Sequence, residues 1–478
     1  MNSTPPGSGR RPPGSDRPDR PSRPDRPGRP AGRSDGRSGS RPADRGSRKG
    51  TSRRDGSRKP GPPPAPEAGT SAFVLHQLKA VDAAVRAGHR SDRTLSRIFQ
   101  EHSLPPDQRR RLLRLSQAWF RWSGVMPADM EFSERLCWCA AMEGLPLPGH
   151  KPRGLTQPEW NSWTLPPVSR RLDWLGLQLM ELRGIRAESL LPAWITEALP
   201  TDRDRHALAE ALLMPPGLWI RSRVDVHALR AGLEAHVEVL RMHPDLKGCW
   251  AVRSEADLYY MESYQRGDFV IQDPASQAIG LLCGALPGER WWDMCAGAGG
   301  KTLQLCDSMG GKGVVIATDT HEQRLKELRR RLALAGRHNL EVHLWTGDRP
   351  PKGPAFDGVL VDAPCSNSGT LRRNPDLWRR EGIQLDELRE LQSRLLNLAA
   401  PRVKPGGRLV YATCSLLPCE NEEVVALFRQ RFPEFKPVSL QDPLDGRGES
   451  QGAIRFDPEV GDHDGTFVAV LRKDEAAD

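Results

Sequence analysis

The first seventy residues contain no valine, isoleucine, leucine, phenylalanine, tryptophan or tyrosine. A segment without such side chains cannot bury enough apolar surface to offset the entropy of ordering it, so residues 1–70 are expected to form a disordered tail. Nowhere does the chain hold a run of about 18 apolar residues, which argues against a membrane-spanning helix. Its N-terminus lacks the apolar core of a secretory signal. The nine cysteines have no close, regular spacing, which argues for reduced thiols in a cytoplasmic protein. Cys137-Trp138-Cys139 is too tight for a zinc knuckle without partner ligands nearby and reads as structural, so no metal is expected.

Charge is abundant but unevenly placed. The formal net charge is +9, yet residues 1–70 alone carry 17 Lys and Arg against 7 Asp and Glu, a net of +10. The rest of the chain is close to neutral, so any nucleic-acid surface on it must be a local patch. The D-R-P and S-R-P units of the tail suit either an electrostatic tether for RNA, working through counterion release, or a solvated linker.

The 478 residues suggest two or three folded domains. From 71 to 215 the apolar period is helical. Val74, Leu78, Val81 and Val85 mark one helix, and Leu95, Ile98 and Phe99 a second. Leu112, Leu115, Trp119 and Trp122 stripe a third, with Asp107 as its expected cap. An aromatic stripe at this spacing reads first as core. The Pro- and Trp-rich stretch 149–167 reads as a loop. Residues 216–277 read as a small α/β subdomain.

From 278 to 478 strands and helices alternate, which predicts a doubly wound, Rossmann-like parallel sheet with helices on both faces. The expected strands are 291–294, 314–318, 342–345, 358–361, 409–412 and 467–471. The one at 409–412 is expected to come directly after a Pro405-Gly406-Gly407 turn.

Two of these strands each deliver a cysteine: D-A-P-C-S at 362–366 and A-T-C-S at 412–415. The crevice beyond strand carboxyl ends is where open α/β sheets bind ligands. A third strand leads into D-M-C-A-G-A-G-G-K-T at 293–302, whose glycines allow close backbone approach before a helix start. Asp319, at the end of the next strand, is placed to accept hydrogen bonds from a ribose hydroxyl pair. The loop and the acid together suit an adenosine-bearing cofactor; a tight turn with a capping Asp is the plainer alternative. Lys301 either faces substrate or closes the loop. Arg372 and Arg373 either contact phosphate or solvate a face.

The C-A-G-A-G-G-K, D-A-P-C-S and A-T-C-S segments, in this order, resemble the Sun/RsmB-type RNA (cytosine-5) methyltransferase family. The likeness runs from about 271 to 467, with Q-D-P-A-S-Q at its front and R-R-N-P-D after the first cysteine. More loosely it reaches back to L-L-R-L-S-Q-A-W-F-R-W-S-G, which resembles the closing helix of a NusB-like RNA-binding domain. The resemblance implies methylation of cytosine carbon 5 in RNA, ribosomal RNA in the first place, with S-adenosylmethionine as donor. By position it implies a cofactor site at Cys295, Ala296, Gly297, Ala298, Gly299, Gly300, Lys301, Asp319, Asp348 and Asp362. It implies a nucleophile at Cys414, a product-releasing cysteine at Cys365, and a catalytic role for Asp362. A monomer acting on RNA, with no membrane partner, is expected. The chain departs from the family at Ala296-Gly297-Ala298, where the family usually has A-A-P, and at Arg221-Ser222-Arg223, where it often has R-x-N.

Carbon 5 of cytosine is a poor nucleophile, and a thiolate adding at carbon 6 makes it enamine-like. Covalent catalysis then divides one hard step into easier ones. As thiols, Cys295, Cys306 and Cys419 read as small buried residues. Other readings remain: transfer RNA or DNA as substrate, a dinucleotide oxidoreductase, or a non-catalytic RNA-binding assembly factor.

Overall fold

The computed structural model describes residues 67, 69–156, 158–233, 237–347, 349–446 and 449–475. The expected tail falls almost wholly outside the described residues, and with it the choice between tether and linker.

Helices come first: α1 (Ser71–Arg86), α2 (Ser91–Glu101), α3 (Pro106–Trp122), α4 (Phe132–Met142), α5 (Val168–Gln178), α6 (Ala193–Thr196) and α7 (Arg205–Leu213). The aromatic stripe of α3 is core, with Leu112, Leu115, Trp119 and Trp122 all buried. Asp107 does not cap α3. Pro105 precedes the helix and Pro106 takes its first position, where the missing N–H costs nothing and φ is already helical. The helical core also takes in Leu371, Leu377, Leu416 and Leu417. These four side chains come from the segments just after Cys365 and Cys414, so the helices pack directly against both cysteine-bearing loops.

A small antiparallel sheet comes next, ordered β2-β3-β1-β4. It consists of β1 (Leu218–Ser222), helix α8 (Val226–Gly232), β2 (Val237–Met242), β3 (Cys249–Ser254), helix α9 (Glu262–Gln265) and β4 (Phe269–Ile271). The Arg221-Ser222-Arg223 segment ties this sheet to the C-terminal domain through one carboxylate. Asp307 accepts from Arg221 at 3.0 Å, Arg223 at 2.9 Å and Arg337 at 2.8 Å. Burial would raise the Asp307 carboxyl, but the guanidinium groups outweigh it and hold the carboxyl below its usual range.

The main sheet is then built from β5 (Arg290–Asp293), β6 (Val314–Asp319), β7 (Leu340–Leu344), β8 (Phe356–Asp362) and β9 (Val403–Thr413). Helices α10 (Pro274–Leu282), α11 (Gly300–Ser308), α12 (Glu322–Leu334), α13 (Leu385–Ala399) and α14 (Glu422–Arg431) accompany it. Short strands β10 (Phe435–Pro437), β11 (Ser439–Gln441), β12 (Glu449–Gln451) and β13 (Ala453–Phe456) precede the closing strand β14 (Thr466–Lys473). The order is β10-β14-β9-β8-β5-β6-β7. β5 to β9 pair in parallel, whereas β14 runs antiparallel to β9. The strand order reverses between β5 and β8, which places the loops after these two strands at the switch point where such sheets bind ligands.

Alternation along each strand sends side chains to two faces. Trp291, Val315, Leu360 and Val410 enter one core, and Trp292, Ile316, Val361 and Tyr411 enter the other. Three strands start at least two residues earlier than expected, β8 among them, at Phe356. β7 starts two residues early, at Leu340, because this largely exposed edge strand carries no apolar run to mark its start. The Pro405-Gly406-Gly407 turn is instead part of β9. Phe356 pairs with Val403 and Gly358 with Arg408, so three extra residues bulge from the strand, and Gly406 takes φ +74.

Candidate active site

β8 and β9 lie side by side, with Asp362 in register with Ala412, and each chain turns away just beyond. Ala363 N–H donates to Ala412 O at 2.8 Å, and Gly369 N–H to Cys414 O at 3.0 Å. These bonds hold the two cysteine loops against each other. Cys365 Sγ and Cys414 Sγ are 3.2 Å apart.

The two thiols differ. The hydrogen bond from Cys365, against burial and the charge of Asp362 and aided by Lys301 and Arg373, holds Cys414 below the ordinary thiol range. The same bond, with burial, pushes Cys365 well above it. All nine cysteines are described and unpaired, and the other seven are all raised, chiefly by burial. Cys414 stands apart as the thiol most readily ionised, which is the condition for a nucleophile.

Asp362 ends β8 and is about one-third exposed; Lys301 Nζ donates to its Oδ2 at 2.8 Å. Burial works against the Lys301 charge, but Asp362 outweighs it and raises the ammonium pKa. Lys301 thus closes the glycine loop onto the end of β8. In that loop Gly297 has φ +55 and Gly299 φ +88. A Cβ on Gly299 would strike Leu328 Cδ1 at 2.1 Å, whereas one on Gly297 would meet nothing within 4 Å. Packing demands glycine at 299, and Gly297 leaves open space over the loop.

Asp319 ends β6 and ties the loop down. Its carboxylate accepts from Gly297 N–H at 3.0 Å and from His321 N–H at 2.8 Å. Cys295, Ala296, Ala298 and Gly300 complete the loop, with Ala296 N–H donating to Thr318 O at 2.9 Å. Asp348 lies outside the described residues.

At the head of the loop Asp293 is buried. Thr302 donates to its Oδ2 at 2.6 Å, and its Oδ1 has no partner among the described residues. Burial pushes this carboxyl up to about 7. A buried, unpartnered carboxylate oxygen beside an open glycine loop suits a ligand that brings its own cationic or N–H donor. S-adenosylmethionine, with its ammonium and sulfonium groups, is such a ligand, so the residues present fit the implied cofactor.

Two residues that hold the cysteine loops escaped sequence reasoning. Asn367 holds φ +60. Its amide donates to Cys365 O at 3.2 Å, and its Oδ1 accepts from Cys414 Sγ at 2.9 Å. Asparagine tolerates the left-handed region better than most side chains, but nothing in the sequence marks the turn.

Glu420 is fully buried. Its carboxylate accepts from Ser366 N–H at 2.8 Å, Ser366 Oγ at 2.5 Å, Ser415 Oγ at 2.5 Å and Gln392 Nε2 at 3.0 Å. Ser366 comes right after Cys365 and Ser415 right after Cys414, so one carboxylate fixes both cysteine loops. Its only signal was an acid closing the apolar Leu416-Leu417-Pro418-Cys419 run. Arg372, by contrast, is buried and bonded to Asp462 at 2.8 Å and His463 O at 3.2 Å; it is structural. Arg373 is half-exposed and pairs with buried Asp464.

No helix among the described residues is long and apolar enough to cross a membrane. No group of three or more His, Cys, Asp or Glu among them could hold a metal ion.

A family profile described as 16S rRNA methyltransferase RsmB/F matches residues 283–472. Ribosomal RNA small subunit methyltransferase B of Cronobacter sakazakii is 32% identical over 307 residues, which span 62% of this chain and 69% of that protein. The protein of the same name from Salmonella paratyphi B is 33% identical over 275 residues, 54% of this chain and 61% of that one. The fold is also that of the crystal structure of PH0851, at TM-score 0.64 and 24% identity, covering 84% of this chain and 99% of that one.

Proposed function

We propose that this chain, which belongs to the RsmB/F family of 16S rRNA methyltransferases, methylates carbon 5 of a cytosine in ribosomal RNA through a covalent bond to Cys414. The observation that carries the reading is the pair of cysteines at 3.2 Å beyond adjacent parallel strands, with the more acidic thiol on Cys414. S-adenosylmethionine supplies the methyl group from its sulfonium.

Cys414 adds as thiolate to carbon 6 of the cytosine. The C–S bond forms, and the ring electrons move toward carbon 5. Asp362, braced by Lys301, holds the protonated edge of the ring and stabilises the adduct. Once carbon 5 carries the methyl group, its proton leaves to a base at or beside Cys365. The returning electron pair then expels the Cys414 thiolate and restores the aromatic ring. Glu420 and Asn367 touch no reacting atom of the base in this scheme; they position the two sulfurs. Asp319 and the glycine loop bind the nucleoside end of the donor.

Transfer of labelled methyl from S-adenosylmethionine to ribosomal RNA, paired with bisulfite sequencing of RNA from cells with and without the protein, tests the reading. Label appearing at any position other than cytosine carbon 5 would overturn it. Donor binding gives a separate expected result. Asp319→Ala should weaken S-adenosylmethionine binding by about tenfold or more, since a buried charge-assisted bond is worth roughly 1.5–3 kcal/mol. Calorimetry showing unchanged affinity would remove Asp319 from the site.

A further inference from the structure

The turn between α1 and α2 faces the segment after Cys365 across a cleft of about 740 Å³. Arg86, His89 and Arg90 line it from the helical side, and Arg379 and Arg380 from the sheet domain. Asn367 lines it too, and the Asn367 amide oxygen is 2.9 Å from Cys414 Sγ. The cleft therefore leads to the reactive thiol by way of one side chain.

Its charge is positive. Besides these four arginines and the histidine, the lining includes two carboxylates, Asp376 and Glu381. Asp376 is already engaged, accepting from Ser91 N–H at 3.3 Å. The Arg86 side chain is 62% exposed and bonded only to Asp82 on its own helix; that of Arg90 is 47% exposed and paired with Asp92. Exposed pairs of this kind contribute little and exchange readily for another anion. Arg380 is exposed, and no ion pair with a described residue holds its guanidinium. Outside the tail the chain is close to neutral, so a concentration of arginine beside the cysteines is a local feature.

We infer that this cleft binds the single strand of RNA flanking the target cytosine, its phosphates set against Arg86, Arg90 and Arg380. The inference rests on the proposed methyl transfer to RNA and deepens it by assigning the path of the substrate. A base must leave its stack before a partly buried thiol can reach carbon 6. Its neighbours on the strand then run unpaired beside the site. Arginine, with a planar fork of donors, is the side chain best matched to their phosphates. The two sides come from different parts of the fold, so the strand is held only where helices and sheet meet.

The test uses the full chain carrying Arg90→Ala and Arg380→Ala together, with a short fluorescein-labelled single-stranded RNA containing one cytosine. Anisotropy titrations across a salt series should show affinity at low salt down by about tenfold or more. The slope of log K against log salt should shrink by about 0.7 for each lost phosphate contact. Melting temperature and S-adenosylmethionine affinity should be unchanged, which shows that the variant is folded. An unchanged slope and an unchanged KM for RNA, with methyl transfer intact in the parent protein, would overturn the cleft and leave the proposed function standing. Reduced RNA affinity with no methyl transfer by the parent protein would do the reverse.

Discussion

Cys414→Ala is expected to abolish methyl transfer and to leave no covalent adduct with RNA, whereas Cys365→Ala should trap one. The difference lies in when each thiol acts. With Cys414 gone, carbon 5 is never activated, and the chemistry stops before the donor is used. With Cys365 gone, Cys414 still attacks and the methyl group still arrives. Loss of the carbon 5 proton is then slow, so the Cys414–cytosine bond persists. A denaturing gel should show a protein–RNA species that builds up with S-adenosylmethionine and is absent for Cys414→Ala.

The structure adds a pH signature. The hydrogen bond from Cys365 favours the Cys414 thiolate. In the parent protein, alkylation of Cys414 should therefore rise with pH through a midpoint below that of an ordinary thiol. Cys365→Ala removes the donor and leaves the burial, so the midpoint should move up. A mechanism with Cys365 as nucleophile requires the opposite pattern, with the trapped species on Cys414→Ala. That result would overturn the assignment of roles.

The second large effect is expected at Glu420, which lies outside every sequence-level expectation. Glu420→Ala leaves the Ser366 amide, two serine hydroxyls and the Gln392 amide without their shared acceptor. An unpartnered buried polar group costs about 1–3 kcal/mol, and the freed hydroxyls can partly turn to other neighbours such as Ser368. A loss of about 3–5 kcal/mol is expected from chemical denaturation.

Catalysis should suffer as well, because a displacement of about 1 Å can cost roughly a hundredfold in rate. Glu420→Gln should be milder. Its NH2 can donate to the two serine hydroxyls while its oxygen still accepts from the Ser366 and Gln392 amides. The alkylation profile of Cys414 should broaden or shift in Glu420→Ala and return toward the parent in Glu420→Gln. A Glu420→Ala protein with parental stability and parental Cys414 reactivity would show that Glu420 does not set the cysteines.

Much of this protein could be read from residue order alone. Period and alternation located the helices of the first half and most strands of the main sheet, because one-sided burial imposes those patterns directly on the sequence. The D-A-P-C-S and A-T-C-S segments marked the two strand ends beyond which the cysteines meet, since strand ends and glycine loops are local signals. β2 was not legible because it is a largely exposed edge strand with no buried apolar face, and β10 to β13 were not because strands of three or four residues have too little pattern to stand out.

What only the tertiary structure decided is which side chains meet across long stretches of chain. That the two sulfurs lie at 3.2 Å depends on β8 pairing with β9 in a particular register. That Glu420 serves both loops depends on 54 residues of chain returning to Ser366. That arginines from α1 to α2 face those after Cys365 depends on Leu371, Leu377, Leu416 and Leu417 burying themselves in the helical core. A contact between distant segments leaves no periodic trace in sequence, because it is fixed by how whole elements pack and not by the residues on either side of it.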